Sequence, residues 1–81
     1  MHFIHVEEVK HLGGYRLWLR FNDGSSGEID LSNDLTGPIF QPLKDEEAFS
    51  KVRVEGGTVE WENGADLAPE FLRNKLAEQV A

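Results

Sequence analysis

The chain has 81 residues, no cysteine and a formal charge of −7, set by 8 Lys and Arg against 15 Asp and Glu. A chain this short buries roughly 60–65% of its unfolded surface, enough for one layer of helix on one sheet, so a deep substrate cavity would compete with the core and an active site would have to sit on the surface. The missing thiols remove disulfides, thiolate metal sites and thiol catalysis together, and the acid excess argues against direct binding of nucleic acid, which rewards neutralisation of phosphates.

Residues 3–10 read as a first strand, with Ile4 and Val6 on one face. Glu7 and Glu8 interrupt the alternation and Val9 has the opposite parity, which predicts a bulge or a strand end near the two glutamates. Residues 15–21 alternate cleanly: Tyr15, Leu17, Leu19 and Phe21 point one way, and Arg16, Trp18 and Arg20 the other. Asn22-Asp23-Gly24 is a turn signal, with Gly24 suited to the left-handed position of a three-residue hairpin loop. A third strand follows over 25–31, with Ile29 and Leu31 inward and Glu28 and Asp30 outward. Parity tests the loop. With Asn22 to Gly24 as the loop, Phe21 faces Ser25, Leu17 faces Ile29, Tyr15 faces Leu31, Arg16 faces Asp30 and Trp18 faces Glu28. A two-residue Asp23-Gly24 turn would put Leu17 opposite Asp30 and mix the faces, so it is rejected. A five-residue loop, pairing Arg20 with Glu28, survives the same test.

Residues 32–50 read as irregular, because Gly37-Pro38 interrupts regular structure. Ile39, Phe40 and Leu43 are expected at the core edge. Asp45 can cap a short helical segment near 45–50 whose first turn holds Glu46 and Glu47, as the helix dipole favours, with Ala48 and Phe49 inward. Residues 51–55 and 58–62 form a second hairpin around Gly56-Gly57. Val54 then meets Val59 and Val52 meets Trp61 on one face, while Arg53 meets Glu60 and Lys51 meets Glu62 on the other. Apolar partners and opposite charges fall into one register. A helix from about Pro69 to Gln79 opens with a favourable proline and Glu70. Leu72, Leu76 and Val80 form its apolar stripe with Phe71 beside it, and Arg73 and Lys75 sit late, where the dipole prefers cations. Asp66 or its neighbours can cap its first turn. The expected fold is therefore α+β, one domain over 1–81: a small antiparallel sheet of about five strands in two hairpins, packed with a C-terminal α-helix and the short segment near 45–50.

The chemistry-bearing residues form no catalytic constellation. No apolar run approaches the ~18 residues of a bilayer span, and the start of the chain lacks the basic-then-apolar order of a signal peptide, so a cytoplasmic location without membrane association is expected. His2 and His5 point to opposite faces of a strand, and His5 and His11 lie roughly 20 Å apart along an extended one, too far for zinc ligands. The acid pairs Glu7-Glu8, Glu46-Glu47 and Glu60 with Glu62 fall on solvent faces, where cations and a helix start account for them. No serine lies in a nucleophile elbow, and Gly13-Gly14 and Gly56-Gly57 are turns without a phosphate-loop lysine. No cofactor is expected. Arg16, Trp18 and Arg20 remain as an aromatic and cationic stripe of the types enriched at binding hot spots, although three such residues more often simply stack on each other and cover a sheet edge.

The Phe21-Asn22-Asp23-Gly24 turn, the Ile29-Asp30-Leu31 strand, Gly37-Pro38-Ile39-Phe40 through Leu43 and Asp45 to Phe49, and above all Trp61-Glu62-Asn63-Gly64-Ala65-Asp66-Leu67-Ala68-Pro69-Glu70 resemble the bacterial domain-of-unknown-function family DUF2442 over nearly the whole chain. The resemblance implies a small α+β fold of the NE-type N-terminal-domain-like kind and no established activity. Some members join this module to a helix-turn-helix domain, which is not expected within these 81 residues. Members are often encoded beside another small protein family, which implies a toxin–antitoxin-like pairing and assigns no catalytic residue. The expected function is a non-enzymatic interaction or regulatory module, with a small basic protein encoded nearby as the partner and Arg16, Trp18 and Arg20 as its contact. The alternative is a small ligand-binding or enzymatic domain with a surface site near Trp61 and Asp66. Because the histidine spacing builds no site, folding should be independent of zinc: the thermal unfolding midpoint should stay within a few degrees when a strong chelator is added.

Overall fold

A computed structural model describes residues 3–80. His2 and the side chain of Val80, both invoked above, lie outside the described residues. The architecture is α+β, with strands β1 (Val6–Gly13), β2 (Arg16–Phe21) and β3 (Ser26–Asp30), a 3-10 helix over Pro38–Lys44, helix α1 (Glu46–Ser50), strands β4 (Arg53–Glu55), β5 (Thr58–Glu60) and β6 (Asp66–Leu67), and helix α2 (Pro69–Val80). The strands do not form one sheet of about five. They form two three-stranded antiparallel sheets, in the orders β1-β2-β3 and β4-β5-β6.

Two features account for the split. The chain from Phe3 to His5 leaves the ladder and is held by Asn22, whose side chain accepts from the His5 N–H and donates to the Phe3 carbonyl. Val6 then donates its N–H to Gly57 O at 2.8 Å, a single backbone bond from the first sheet to the second. The first strand accordingly starts at Val6 and runs on to Gly13, later than residues 3–10. The sixth strand, Asp66–Leu67, pairs with β5 and is too short to show a period. It takes Asp66 out of the capping role: Asp66 lies opposite Glu60 in the ladder. The first helical bond of α2 instead runs from Leu72 N–H to the Ala68 carbonyl.

The first hairpin keeps the expected register. Leu17 lies opposite Ile29, Trp18 opposite Glu28 and Arg16 opposite Asp30, and Phe21 N–H bonds to Ser25 O. Arg20 lies opposite Ser26, not Glu28, which rules out the five-residue loop, and Gly24 has φ 87°, a backbone that L side chains rarely adopt. The bulge also appears where the glutamates predicted it: Val6 faces Phe21 and Glu8 faces Arg20, leaving Glu7 as the extra residue. Val6 and Val9 thus both turn toward the core despite their opposite parity.

In the second sheet Arg53 lies opposite Glu60 and Val54 opposite Val59. The ladder stops there, so Val52–Trp61 and Lys51–Glu62 are not paired. Val52 bonds back to Phe49 O and Trp61 to Ala65 O. Gly37-Pro38 starts a helix rather than preventing one, with Gly37 as its cap and Pro38 in its first turn. Ile39 is exposed rather than at the core edge, Phe40 is half-buried, Leu43 is buried, and Leu35 joins the core as well. Asp45 caps α1 as expected, accepting from Glu47 N–H at 3.2 Å.

One core serves both sheets. Val6, Leu17, Leu19, Phe21, Ile29 and Leu31 come from the first, Val59 and Trp61 from the second, and Phe49, Leu72 and Leu76 from the helices. Phe71 is exposed. Helix α2 extends to Val80, so Arg73 and Lys75 are not in its last turn. They tie its side to the first hairpin and the loop that follows: Arg73 Nε lies 3.1 Å from Asp23, and Lys75 Nζ 2.7 Å from Asp34. Helix α2 seats against β3 at Gly27, where a Cβ would come within 2.6 Å of Leu76 Cδ1. Gly27→Ala should therefore destabilise by about 1–3 kcal/mol through overpacking, read as a lower urea midpoint at unchanged slope.

Candidate functional site

The first sheet has two unlike faces. Its inner face carries Leu17, Leu19, Ile29 and Val9 and is covered by α2 and α1. Its outer face is a grid set by strand register: Glu8, Arg20 and Ser26 in one row, Lys10, Trp18 and Glu28 in the next, then Arg16 and Asp30. Trp18 is half-buried at the centre and its charged neighbours are exposed.

The structure brings Arg16, Trp18 and Arg20 onto this one face, but none stacks on another. Each cation is turned to an acid of its own sheet. Arg16 Nη1 donates to Glu28 at 3.1 Å, and its Nη2 to Leu12 O at 3.2 Å. Arg20 lies 3.3 Å from Glu8 and 3.6 Å from Glu7. The bulge makes this possible, because the extra residue lets two consecutive glutamates reach one guanidinium. Lys10 Nζ sits 5.2 Å from the centroid of the Trp18 ring, within cation–π range, and 3.6 Å from Glu8. Spacing alone does not show the contributions of Glu7, Glu8 and Lys10, since they depend on the β1–β2 register and its bulge. Such exposed pairs stabilise by about 0–1 kcal/mol each; their larger effect is to hold the guanidinia in place.

Two carboxylates beside this face titrate low. Asp23 is pulled down to about 2, first by the Ser25 hydroxyl, then by the Ser25 N–H and by Arg73. Asp30 is lowered mainly by the Ser32 N–H and hydroxyl, and then by Arg16 and Lys75.

A second concavity lies at the junction of the 3-10 helix, α1 and the end of β5. It is a shallow cleft of about 280 Å³ lined by Pro42, Leu43, Ala48, Lys51, Trp61, Glu62 and Asn63. Two of its polar groups are used internally: the Trp61 indole donates to Phe49 O at 2.9 Å, and the Asn63 amide to Ile39 O at 2.9 Å, while Lys51 and Glu62 are exposed at its rim. Asp66 does not line it. His11 is half-buried rather than a surface group, with its ring 5.8 Å from Phe49 and Nε2 2.9 Å from Gly14 O. Among the described residues no three His, Asp or Glu side chains converge as a metal site would need, and no helix is long and apolar enough to cross a membrane.

The family model described as "Protein of unknown function (DUF2442)" covers residues 6–78. No curated protein and no solved structure matches the chain.

The low value of Asp23 has a stability consequence. A carboxyl depressed in the folded state adds stability that is fully present above its ordinary value of 3.8 and is lost as the pH falls toward about 2. Carboxyl NMR titration should place the Asp23 midpoint near 2. Ser25→Ala should raise that midpoint and shrink the loss of stability in this acid window.

Proposed function

The chain belongs to the DUF2442 family, and from that starting point we propose that it is a non-enzymatic protein-interaction module whose contact surface is the outer face of the first sheet. One observation carries this reading: Trp18, a large half-buried aromatic, sits at the centre of a sheet face that none of the described helices covers, boxed by Arg16 and Arg20, whose guanidinia are already held by Glu28, Glu7 and Glu8. Tryptophan and arginine carry a disproportionate share of interface energy. Side chains ordered before binding lose less freedom on association.

The partner we infer is a small basic protein. The outer face itself is nearly balanced, with Lys10, Arg16 and Arg20 against Glu7, Glu8, Glu28 and Asp30. Most of the net charge of −7 therefore lies off this face, at Asp23 and Asp34 in the first half and in the surplus of acids over Lys and Arg beyond residue 40. Charge away from the anchor steers association and speeds it without desolvation at the contact. In the two-protein arrangement implied by the family resemblance, this bacterial, cytoplasmic chain is the antitoxin-like or regulatory half.

The cleft at Trp61 favours a second reading, a small ligand-binding or enzymatic domain. Its volume is at the lower limit for a ligand site and two of its polar groups, on Trp61 and Asn63, are already bonded within the chain, so the outer face is preferred. A metabolite retained in native mass spectrometry and lost on Lys51→Ala would support the cleft instead.

Trp18→Ala distinguishes recognition from packing. It should weaken binding to the basic partner by ~2 kcal/mol or more, while unfolding free energy falls by only about 1 kcal/mol, because Trp18 lies opposite the helix-covered face. A stability loss of ~3–5 kcal/mol with unchanged affinity would end this reading.

A further inference from the structure

The free edge of β3 is built to accept another strand. Phe21 N–H bonds to Ser25 O and Leu31 N–H to Tyr15 O, both at 2.9 Å. Bonded and non-bonded positions alternate in an antiparallel pair. Gly27 and Ile29 therefore turn their backbone groups toward β2, and Ser26, Glu28 and Asp30 turn theirs away from it, to the side where no strand lies. At Asp30 the outward pair is occupied by a side chain from the end of α2. Gln79 Oε1 accepts from the Asp30 N–H at 2.8 Å, and Gln79 Nε2 donates to the Asp30 carbonyl at 3.2 Å. One amide thereby reproduces the two bonds that a neighbouring strand would make. The matching groups of Ser26 and Glu28 have no protein partner among the described residues, and both residues are exposed.

We propose that the Ser26–Glu28 edge of β3 is a strand-addition site for an extended, basic segment of a partner protein. This deepens, and rests on, the reading of the chain as an interaction module. The chemistry of the occupant follows from the edge. Side chains alternate along an added strand, and every second one would lie beside the outward row of Ser26, Glu28 and Asp30, where two carboxylates are two residues apart. Lysine or arginine at alternate positions matches that row. The intervening side chains would lie beside Gly27 and Ile29, on the face that Leu76 of α2 packs against, which suits valine or threonine. A second copy of this chain is the wrong occupant, because antiparallel pairing of β3 with itself would bring its carboxylates together, and like charges directly opposite destabilise a sheet. An occupant running the full strand displaces Gln79; one covering only Ser26 and Glu28 leaves it in place.

The test uses a short blocked peptide of alternating lysine and valine, with amide exchange followed residue by residue. Binding should protect the Ser26 and Glu28 amides, which are otherwise open to solvent. N-methylating the peptide's edge-facing amides should weaken binding by about tenfold or more, as expected for lost backbone bonds. Glu28→Pro should abolish binding while preserving the hairpin, since the Glu28 N–H faces away from β2 and proline is tolerated there; Glu28→Gln should weaken it only a few-fold. If Glu28→Pro fails to fold, the N-methylated peptide decides the question on the native chain. Unprotected amides at saturating peptide, equal binding of the N-methylated peptide, or self-association through β3 would overturn the proposal. Partner binding lost in Trp18→Ala but intact in Glu28→Pro would overturn strand addition alone. Partner binding lost in Glu28→Pro and intact in Trp18→Ala would overturn the outer-face reading alone.

Discussion

The seat of Phe49 is the constraint on which the rest of the structure depends. Helix α1 is five residues long and could not persist alone. It places the Phe49 ring at zero exposure between two sheets that share almost no backbone bonds. His11 and Tyr15 approach it edge-on from the first sheet, and the Trp61 ring lies tilted against it at 5.5 Å from the second. The Phe49 carbonyl accepts a hydrogen bond from the Trp61 indole N–H, so the polar atom of the largest buried side chain is satisfied by the same residue that packs against it. Asp45 starts the helix that makes this placement possible, and the Tyr15 hydroxyl, bonding to the Lys44 carbonyl, holds the preceding turn.

From that seat the two faces of the first sheet acquire separate duties. Apolar side chains of β2 meet the shared core, and the alternate side chains are left outside. Because the inner face is fully occupied by Leu72, Leu76 and Phe49, the outer face can carry charge and an aromatic without a penalty to folding. Its ion pairs add little stability singly, but they fix the positions of two arginines around Trp18. The acid excess elsewhere on the chain sets the long-range field. Geometry and field are thus held by different parts of one small molecule.

Most of the pairing was legible in the residues because one wrong step in register sends every apolar side chain of a strand to water. Arg53 with Glu60 and the bulge at Glu7-Glu8 follow from that rule, and so do Leu17 with Ile29 and Trp18 with Glu28 once the loop is held to three residues; the Asp45 cap was legible from its side-chain chemistry instead. What escaped it was structure without a period. β6 is two residues long. The division into two sheets rests on the Asn22 side chain gripping the backbone of Phe3 and His5, which no alternation records. Gly37-Pro38 reads as a stop, yet the same proline is suited to the first turn of a 3-10 helix. Arg73 and Lys75 read as complements to a helix dipole but serve as struts to Asp23 and Asp34, contacts about 50 and 40 residues away in sequence. At the candidate site the residue types were visible, and parity put Glu28 beside Arg16 and Trp18, but Glu7 and Glu8 as the partners of Arg20 were not visible, because they depend on the β1 register at the bulge.

The second sheet has strands of three, three and two residues, below what holds together in water by itself. Its persistence is borrowed through Val59, Trp61 and Phe49 from a core that belongs mostly to the first sheet. In folding terms this fixes an order of events. The first hairpin closes over a three-residue loop and can form early, whereas β4, β5 and β6 become worth forming only once α1 has docked. The segment from Trp61 to Pro69 should therefore form late and open early, so that its conformation would report on whether the core beneath it is complete.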